Sequence, residues 1–167
     1  VKDTLIALQA LGHYRRLQTE GTSKLIAITG SNGKTTSKEF AAALIGSKYS
    51  VHFNKGSYNN HWGVPLTLLG IKPEHEVVIS EMGMNHKGEL SELIRMAEPD
   101  VVVVTYVGRA HLEGLGSLNG VAEAKAEIYQ STAHGSPIRI FTLDNPFTFK
   151  MYEKYVGEPH ITFSSEL

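Results

Sequence analysis

The segment from Gly30 to Thr36 places two glycines, a lysine and two threonines between an apolar run and a helix-like run. Glycines let the backbone turn sharply and come close to a ligand, so that successive amides and the start of a helix can point at phosphate oxygens. A lysine there reaches the terminal phosphates, and a threonine after it offers a hydroxyl to Mg²⁺. The segment predicts a nucleotide phosphate loop formed by Gly30, Ser31, Asn32, Gly33, Lys34, Thr35 and Thr36.

This loop differs from the common pattern G-x-x-x-x-G-K-[ST], because Ile28 stands where that pattern has its first glycine. The spacing of Gly30 and Gly33 also differs from G-x-G-x-x-G, which disfavours a nicotinamide or flavin site. The alternative is a tight glycine turn followed by a surface lysine. The predicted strand before the loop and the predicted helix after it favour the phosphate loop.

Two later strands end in residues that could bind a metal beside such a loop. Glu81 closes the apolar run VVIS, and His111 follows the run VVVVTYVG. Mg²⁺ in nucleotide sites takes hard oxygen ligands, and a neutral imidazole can bind a metal. The alternatives are a solvated glutamate at a strand end and a surface histidine.

Two further groups are ambiguous from the residues alone. Lys125 lies in a predicted helix, where a charged side chain is usually exposed to solvent. Asn59, Asn60, His61 and Trp62 precede the apolar segment GVPLTLL. This cluster indicates either ligand contact or a turn anchored by the tryptophan.

The elements that must position these residues alternate along the chain. Apolar spacing predicts helices over 1–18, 34–46, 88–97, 117–131 and 145–155, and strands over 24–29, 75–83, 100–108, 137–143 and 160–164. Such alternation with few hairpin signals predicts an α/β fold with a mostly parallel sheet covered by helices on both faces. Ligands bind beyond the carboxyl ends of the strands in such sheets, which is where the candidate residues lie.

The composition excludes several classes of function. The chain has 167 residues and a formal net charge of −1, which gives no sign of a nucleic-acid surface. It has no cysteine, so disulfides and thiolate metal sites are excluded. Its apolar runs are too short for a transmembrane helix, and its start does not resemble a signal peptide.

Taken together, the motifs resemble the central ATP-binding domain of the Mur ligases. The resemblance lies in AITGSNGKTTSKE, NNHWGVPLTLL, EMGMNHKGEL and VGRAHLEGLGSLNGVAEAKAEI, which occur in that order and are densest from Ile28 to Ile128. Within the family, GVPLTLL and AHLEGLGS resemble the members that add D-Ala-D-Ala to a UDP-N-acetylmuramoyl-tripeptide. The resemblance therefore implies a P-loop-containing Mur ligase central domain.

The resemblance also implies roles for individual residues. Lys34 and the loop amides would bind the β- and γ-phosphates of ATP, while Thr35 and Glu81 would hold one Mg²⁺. His111 would help to hold a second Mg²⁺, and Lys125 matches a family lysine that is commonly carbamylated and then acts near the metals. Three residues would face the substrates: Asn59, Asn60 and His86.

The implied organisation extends beyond this chain. Residues 1–22 would form a linker helix and residues 23–167 an ATP-binding central domain that is incomplete at its C-terminal end. The N-terminal UDP-substrate domain and the C-terminal domain would lie outside the chain, so we expect no ligation by this piece alone. The family's usual Asn is replaced by Tyr106, and its N-A-D-D motif by LDNPF at 143–147.

The implied reaction is ATP-driven amide formation through an acyl phosphate during bacterial peptidoglycan synthesis. The implied enzyme is a cytoplasmic monomer that takes small-molecule substrates, binds no nucleic acid and does not insert into membranes. One alternative is another Mur-type or folylpolyglutamate-type ligase. A second is a P-loop switch module that hydrolyses ATP or GTP to drive a partner, although no guanine-reading motif is evident.

Overall fold

The computed structural model of the protein describes residues 1–110 and 112–165. Six parallel strands form one sheet in the order β2-β3-β1-β4-β5-β6. The strands are β1 (Lys24–Thr29), β2 (Val51–Phe53), β3 (Val77–Glu81), β4 (Val101–Val104), β5 (Ile138–Thr142) and β6 (His160–Phe163). The predicted α/β fold with a parallel sheet is confirmed.

Seven α-helices and one 3₁₀ turn connect the strands in the described part of the chain. They are α1 (Thr4–Gln18), α2 (Lys34–Gly46), α3 (Gly63–Leu69), α4 (Glu89–Ala97), α5 (Leu112–Leu115), α6 (Leu118–Ala126), the 3₁₀ turn Glu127–Tyr129 and α7 (Pro146–Glu153). Within residues 1–110 and 112–165, no helix combines the length and the apolar character that crossing a bilayer requires.

Helices cover both faces of the sheet, as predicted. Helix α2 packs on one face, where Ala42 contacts a small cluster that includes Ile28 and Ile79. Helices α3, α4, α6 and α7 contribute to the larger core on the opposite face. Right-handed crossovers explain this division, because β1 to β2 steps one way along the sheet and the later connections step the other way.

Helix α1 lies outside this second layer and packs against α3 and α4. Its N-terminus is capped, since the Asp3 carboxylate accepts hydrogen bonds from the amides of Leu5 and Ile6. Gly12 allows the close approach to α3, because a Cβ there would lie 2.8 Å from the Cβ of Pro65. The proposed division of the chain at residue 22 stays a prediction.

Candidate functional site

The predicted phosphate loop lies between the end of β1 at Thr29 and the start of α2 at Lys34. Gly33 precedes the helix with φ 79°, a left-handed conformation that glycine adopts without steric cost. No side chain caps this helix end. The first amides of α2 are therefore available to an anion, which the helix dipole also favours.

The loop is braced against the segment that follows β4. The Ser31 amide donates to the Tyr106 carbonyl at 2.7 Å, and the Ser31 hydroxyl bonds with both the amide and the carbonyl of Gly108. The Thr105 hydroxyl donates to the Asn32 carbonyl at 2.6 Å. The Ser31 amide is therefore already bonded and is not among the loop amides that could point at phosphate oxygens.

Gly30 is where the loop tolerates no side chain. A Cβ at this position would lie 2.0 Å from Thr105 Oγ1, and the φ of 155° is one that other residues rarely adopt. We expect Gly30→Ala to lower the free energy of unfolding by about 2 to 5 kcal/mol, because it combines backbone strain with overpacking. Urea denaturation of the unmodified chain and the variant measures this difference.

Gly46→Ala is the matched control for Gly30→Ala. Gly46 ends α2, and a Cβ there would meet only Val51 Cγ2, at an ordinary 3.9 Å. We expect the control to change the free energy of unfolding by less than about 1 kcal/mol. Equal losses of unfolding free energy in the two variants would contradict the steric explanation at Gly30.

The most informative contact joins the loop to the neighbouring strand. Ile28 pairs with Glu81 in the β1–β3 register, which brings the end of β3 beside the loop that follows β1. The Thr35 hydroxyl donates to Glu81 Oε2 at 2.8 Å. Asn59 Nδ2 donates to Glu81 Oε1, also at 2.8 Å. Glu81 is only 1% exposed. The alternative of a solvated glutamate is therefore wrong.

This arrangement fits a magnesium ion that is shared with a nucleotide. Among the described residues, Glu81 has no ion-pair partner, and its contacts are a neutral hydroxyl and a neutral amide. No three His, Asp or Glu side chains in that part of the chain converge as a metal cage. Mg²⁺ in phosphate sites is typically held by one or two carboxylates together with the phosphates, so Thr35 and Glu81 suit it.

Two lysines, one in the loop and one on α6, lie near enough for their charges to interact. Lys34 is half-buried, and its ammonium donates to the Gly30 carbonyl at 2.7 Å. Lys125 on α6 is only 2% exposed, so the expectation from the residues alone of a surface lysine is wrong. Burial, and secondarily the charge of Lys34, lower the pKa of Lys125 from 10.5 to about 8.

The Asn59–Trp62 cluster divides into different roles. Asn59 lies against Glu81, and its carbonyl accepts from the Gly83 amide at 2.7 Å. The side-chain oxygen of Asn60 instead accepts from the amides of Trp62 and Gly63, where α3 begins. Trp62 is 47% exposed and does not anchor the turn. A substrate role for Asn60 stays a prediction.

His86 lies at a second place on the same edge of the sheet. Its Nδ1 is 2.9 Å from Glu89 Oε1, and it lines a cavity of about 390 Å³ with Asn85, Glu113 and Gly114. Burial raises the pKa of Glu89, but hydrogen bonds from Asn85 and His86 outweigh it and lower that pKa. His111 lies outside the described residues, so its predicted metal role is untested.

A wider cavity of about 650 Å³ lies at the opposite edge of the sheet, beside the first residues of β1, β4 and β5. Its charged walls are already paired, since Asp100 contacts Arg16 and Lys24 and the His134 ring lies between Glu20 and Glu98. We therefore assign the site to the phosphate-loop edge, where a buried carboxylate and a buried lysine remain without ionic partners in the described part of the chain.

Sequence reasoning missed two buried residues behind the loop, Lys38 and Asn54, which are 0% and 4% exposed. The signal for Lys38 was available, because it lies four residues before Ala42 on the face of α2 that packs on the sheet. Asn54 follows the three-residue strand β2, which is too short to show a pattern.

Known proteins of one family resemble this chain over most of its length. The family model "Mur ligase middle domain" matches residues 28–166. The chain is 44% identical over 152 residues to the UDP-N-acetylmuramoyl-tripeptide--D-alanyl-D-alanine ligase of Bacillus subtilis (strain 168), an alignment that covers 91% of this chain and 33% of the relative.

Solved structures of the same kind of ligase also match this chain. MurF from Acinetobacter baumannii superposes with a TM-score of 0.88 at 36% identity, over 98% of this chain and 35% of that one. MurF ligase from Thermotoga maritima, solved in complex with ADP, gives 0.88 at 30% identity, over 100% and 38%. The chain thus spans about a third of the length of the relatives it matches. It belongs to the Mur ligase family and corresponds to the family's middle domain.

Proposed function

We propose that this domain binds ATP and Mg²⁺ in an ATP-dependent ligase that adds D-Ala-D-Ala to UDP-N-acetylmuramoyl-tripeptide in peptidoglycan synthesis. The observation that carries the proposal is the contact of the buried Glu81 carboxylate with the Thr35 hydroxyl of the phosphate loop. A buried carboxylate without an ionic partner is costly unless a cation joins it. A magnesium–nucleotide complex supplies that cation.

The phosphate loop provides the groups that phosphoryl transfer requires. In the proposed reaction, the tripeptide carboxylate attacks the γ-phosphorus and ADP leaves, which gives an acyl phosphate. The amine of D-Ala-D-Ala then attacks the acyl carbon and inorganic phosphate leaves. Two anions must meet in the first step, so the ammonium of Lys34 and the free amides at the start of α2 would bind and orient the triphosphate.

Mg²⁺, when bound, would neutralise charge on the phosphate oxygens. Thr35 and Glu81 would hold it, and Asn59 would keep the Glu81 carboxylate in position through its 2.8 Å hydrogen bond. A second ion held by His111 and the modified Lys125 is part of the proposal, by family resemblance. His86 and Asn60 would lie on the substrate side.

Lys125 is suited to carbamylation because its environment favours the neutral amine. A pKa of about 8 leaves an appreciable fraction of amine at neutral pH, and the amine is the form that attacks CO₂. The addition of the neutral amine to CO₂ forms a carbon–nitrogen bond and releases one proton. Counted from the ammonium, two protons leave and a cation becomes a carbamate anion. An anion buried beside a metal is stabilised where an ammonium is not.

The choice of substrates rests on the relatives. The B. subtilis relative is named for the D-Ala-D-Ala reaction, and its identity to this chain is 44%. This favours the D-Ala-D-Ala branch over other Mur-type or folylpolyglutamate-type ligases, and over a P-loop switch module. The monomeric state and the cytoplasmic location stay predictions.

Calorimetric titration of this chain with ATP, ADP and GTP, each with and without Mg²⁺, tests the nucleotide site. We expect weak binding of the adenine nucleotides and a gain in ATP affinity of about tenfold on adding Mg²⁺, because Glu81 would help to hold the ion and the ion would neutralise phosphate charge. Preference for GTP would favour the switch module. Absence of nucleotide binding would contradict the proposed site, and ligation by this chain alone would contradict the need for further domains.

A further inference from the structure

Lys38 is a fully buried lysine for which the reaction above has no use. It lies on α2 one helical turn after Lys34 and is 0% exposed. Its ammonium donates to the Asn54 carbonyl at 2.7 Å and to the Gly56 carbonyl at 3.1 Å. Lys38 therefore joins α2 to the loop that follows β2.

Asn54 extends this contact to the candidate metal carboxylate. Its side-chain oxygen accepts from the backbone amide of Glu81 at 3.1 Å, and its Nδ2 donates to the Tyr58 carbonyl at 3.2 Å. Asn54 is itself 4% exposed. One buried side chain thus links the loop after β2 to the last residue of β3.

The same loop carries Asn59 to Glu81. Residues 54–60, which we name the amide loop, run from the carbonyls that Lys38 holds to the Asn59 side chain on Glu81 Oε1. The Glu81 carboxylate is therefore set from both sides, by Thr35 on α2 and by Asn59 on the amide loop. Lys38 joins α2, which carries Thr35, to the amide loop, which carries Asn59.

We propose that Lys38 is a positioning residue that holds the amide loop in register with the phosphate loop, so that Asn59 and Thr35 together set the Glu81 carboxylate for Mg²⁺. The inference rests on the proposed function of Glu81 and Thr35. Lys38 does not touch the nucleotide; it acts through Asn54, Gly56 and Asn59.

The surroundings of Lys38 explain why this position carries a positive charge. Two carbonyl oxygens from one loop converge on the ammonium, and the carboxylate of Glu39 lies 3.3 Å away. The ammonium also lies 5.8 Å from the centre of the Phe53 ring. Removing the charge would leave both carbonyls without their donor in a buried site, which frees the loop to move.

Hydrogen exchange of the chain without nucleotide tests the inference directly. We expect Lys38→Met to raise the exchange rates of the amides in the amide loop and of the Glu81 amide by about tenfold or more, while the amides of β4 and α6 keep their rates. Lys48→Met, in an exposed lysine just after α2, is the matched control and should change none of them. Unchanged rates in the amide loop, or an equal rise throughout the sheet, would overturn the proposal.

Nucleotide titration supplies the functional readout. In Lys38→Met, we expect ADP affinity without Mg²⁺ to change by less than about twofold and the gain on adding Mg²⁺ to ATP to fall about fivefold or more. An equal loss with and without Mg²⁺ would indicate a general role in the fold and would overturn the inference. If the unmodified chain shows no Mg²⁺-dependent binding, the proposed function fails instead.

Asn54→Ala keeps the test decisive if Lys38→Met does not fold. This variant leaves the lysine in place and removes the side chain that joins the amide loop to the Glu81 amide. We expect faster exchange at Glu81 and the same selective loss of the Mg²⁺-dependent gain. A stable Asn54→Ala chain in which Mg²⁺ still raises ATP affinity as much as in the unmodified chain would overturn the proposal.

Discussion

Replacing Lys34 with methionine is expected to lower the turnover of a full-length ligase that contains this domain by about 10³-fold, since a cation aimed at a transferring phosphoryl group contributes this much or more. Lys34 is the lysine of the proposed phosphate loop, and its ammonium lies 2.7 Å from the Gly30 carbonyl. Methionine keeps a similar length and apolar stem but cannot neutralise a phosphate. Phosphate release that depends on both substrates measures the effect.

The fold should survive this change. Lys34 makes its hydrogen bond to a carbonyl within its own loop, and its removal leaves the sheet contacts of α2 in place. We expect the thermal midpoint of the domain to shift by only a few degrees, which separates a lost function from a lost structure. Lys48→Met is the control, because Lys48 is exposed just beyond α2. Undiminished turnover in Lys34→Met would refute the phosphate-loop assignment.

The strand–loop–helix conformation of residues 24–46 could be predicted because its signal is local. Glycine spacing and the flanking apolar runs gave the bounds of β1 and α2 as the structure has them, Lys24–Thr29 and Lys34–Gly46. The position of Glu81 at the same edge of the sheet as this loop could be predicted from topology, because the carboxyl ends of parallel strands meet at one edge. Neither inference required knowledge of distant contacts.

Lys125 shows where a rule based on residue type fails. In the predicted helix over 117–131 the apolar residues Val121 and Ile128 share one side, and Lys125 lies four residues after the first and three before the second. The helical period therefore already placed Lys125 on the buried side. The general preference of charged residues for solvent led to the wrong expectation of an exposed Lys125. Such exceptions are common at functional sites.

The amide loop could not be derived in this way. Its position depends on Lys38 and Asn54, which connect segments far apart in the sequence through backbone carbonyls and one backbone amide. Backbone acceptors have no residue-type signature, so no pattern in the sequence reveals which of them a buried ammonium will find. The residues alone marked Asn59 as part of a cluster with two possible roles, and they gave no indication of its contact with Glu81.

Lys125→Met is expected to raise the free energy of unfolding of this domain by about 3 kcal/mol at pH 7, because a lysine whose pKa falls from 10.5 to about 8 on folding carries that cost in its charged form. In the full-length ligase the same variant should lose about 10³-fold in turnover, since no carbamate can form beside the metals. Gain of stability with loss of activity is the result that distinguishes a functional lysine from a structural one.

The pH dependence fixes the sign of the Lys125 effect. Below pH 8 both the folded and the unfolded chain hold the Lys125 proton, and the folded state bears the full cost of the buried charge. Between pH 8 and 10 the folded chain has released that proton while the unfolded chain keeps it, so the stability of the unmodified chain rises with pH. From pH 10 upward Tyr129 acts in the opposite direction, because burial raises its pKa in the folded state.

Urea titrations in CO₂-depleted buffer between pH 7 and 10 isolate this contribution from carbamylation. The Lys125→Met chain should lack the rise in stability above pH 8, whereas Lys150→Met, at an exposed position on α7, should retain it. A Lys125→Met chain that is less stable than the unmodified chain at pH 7 would mean that the ammonium has a stabilising partner. The case that burial shifts Lys125 towards the amine that reacts with CO₂ would then fail.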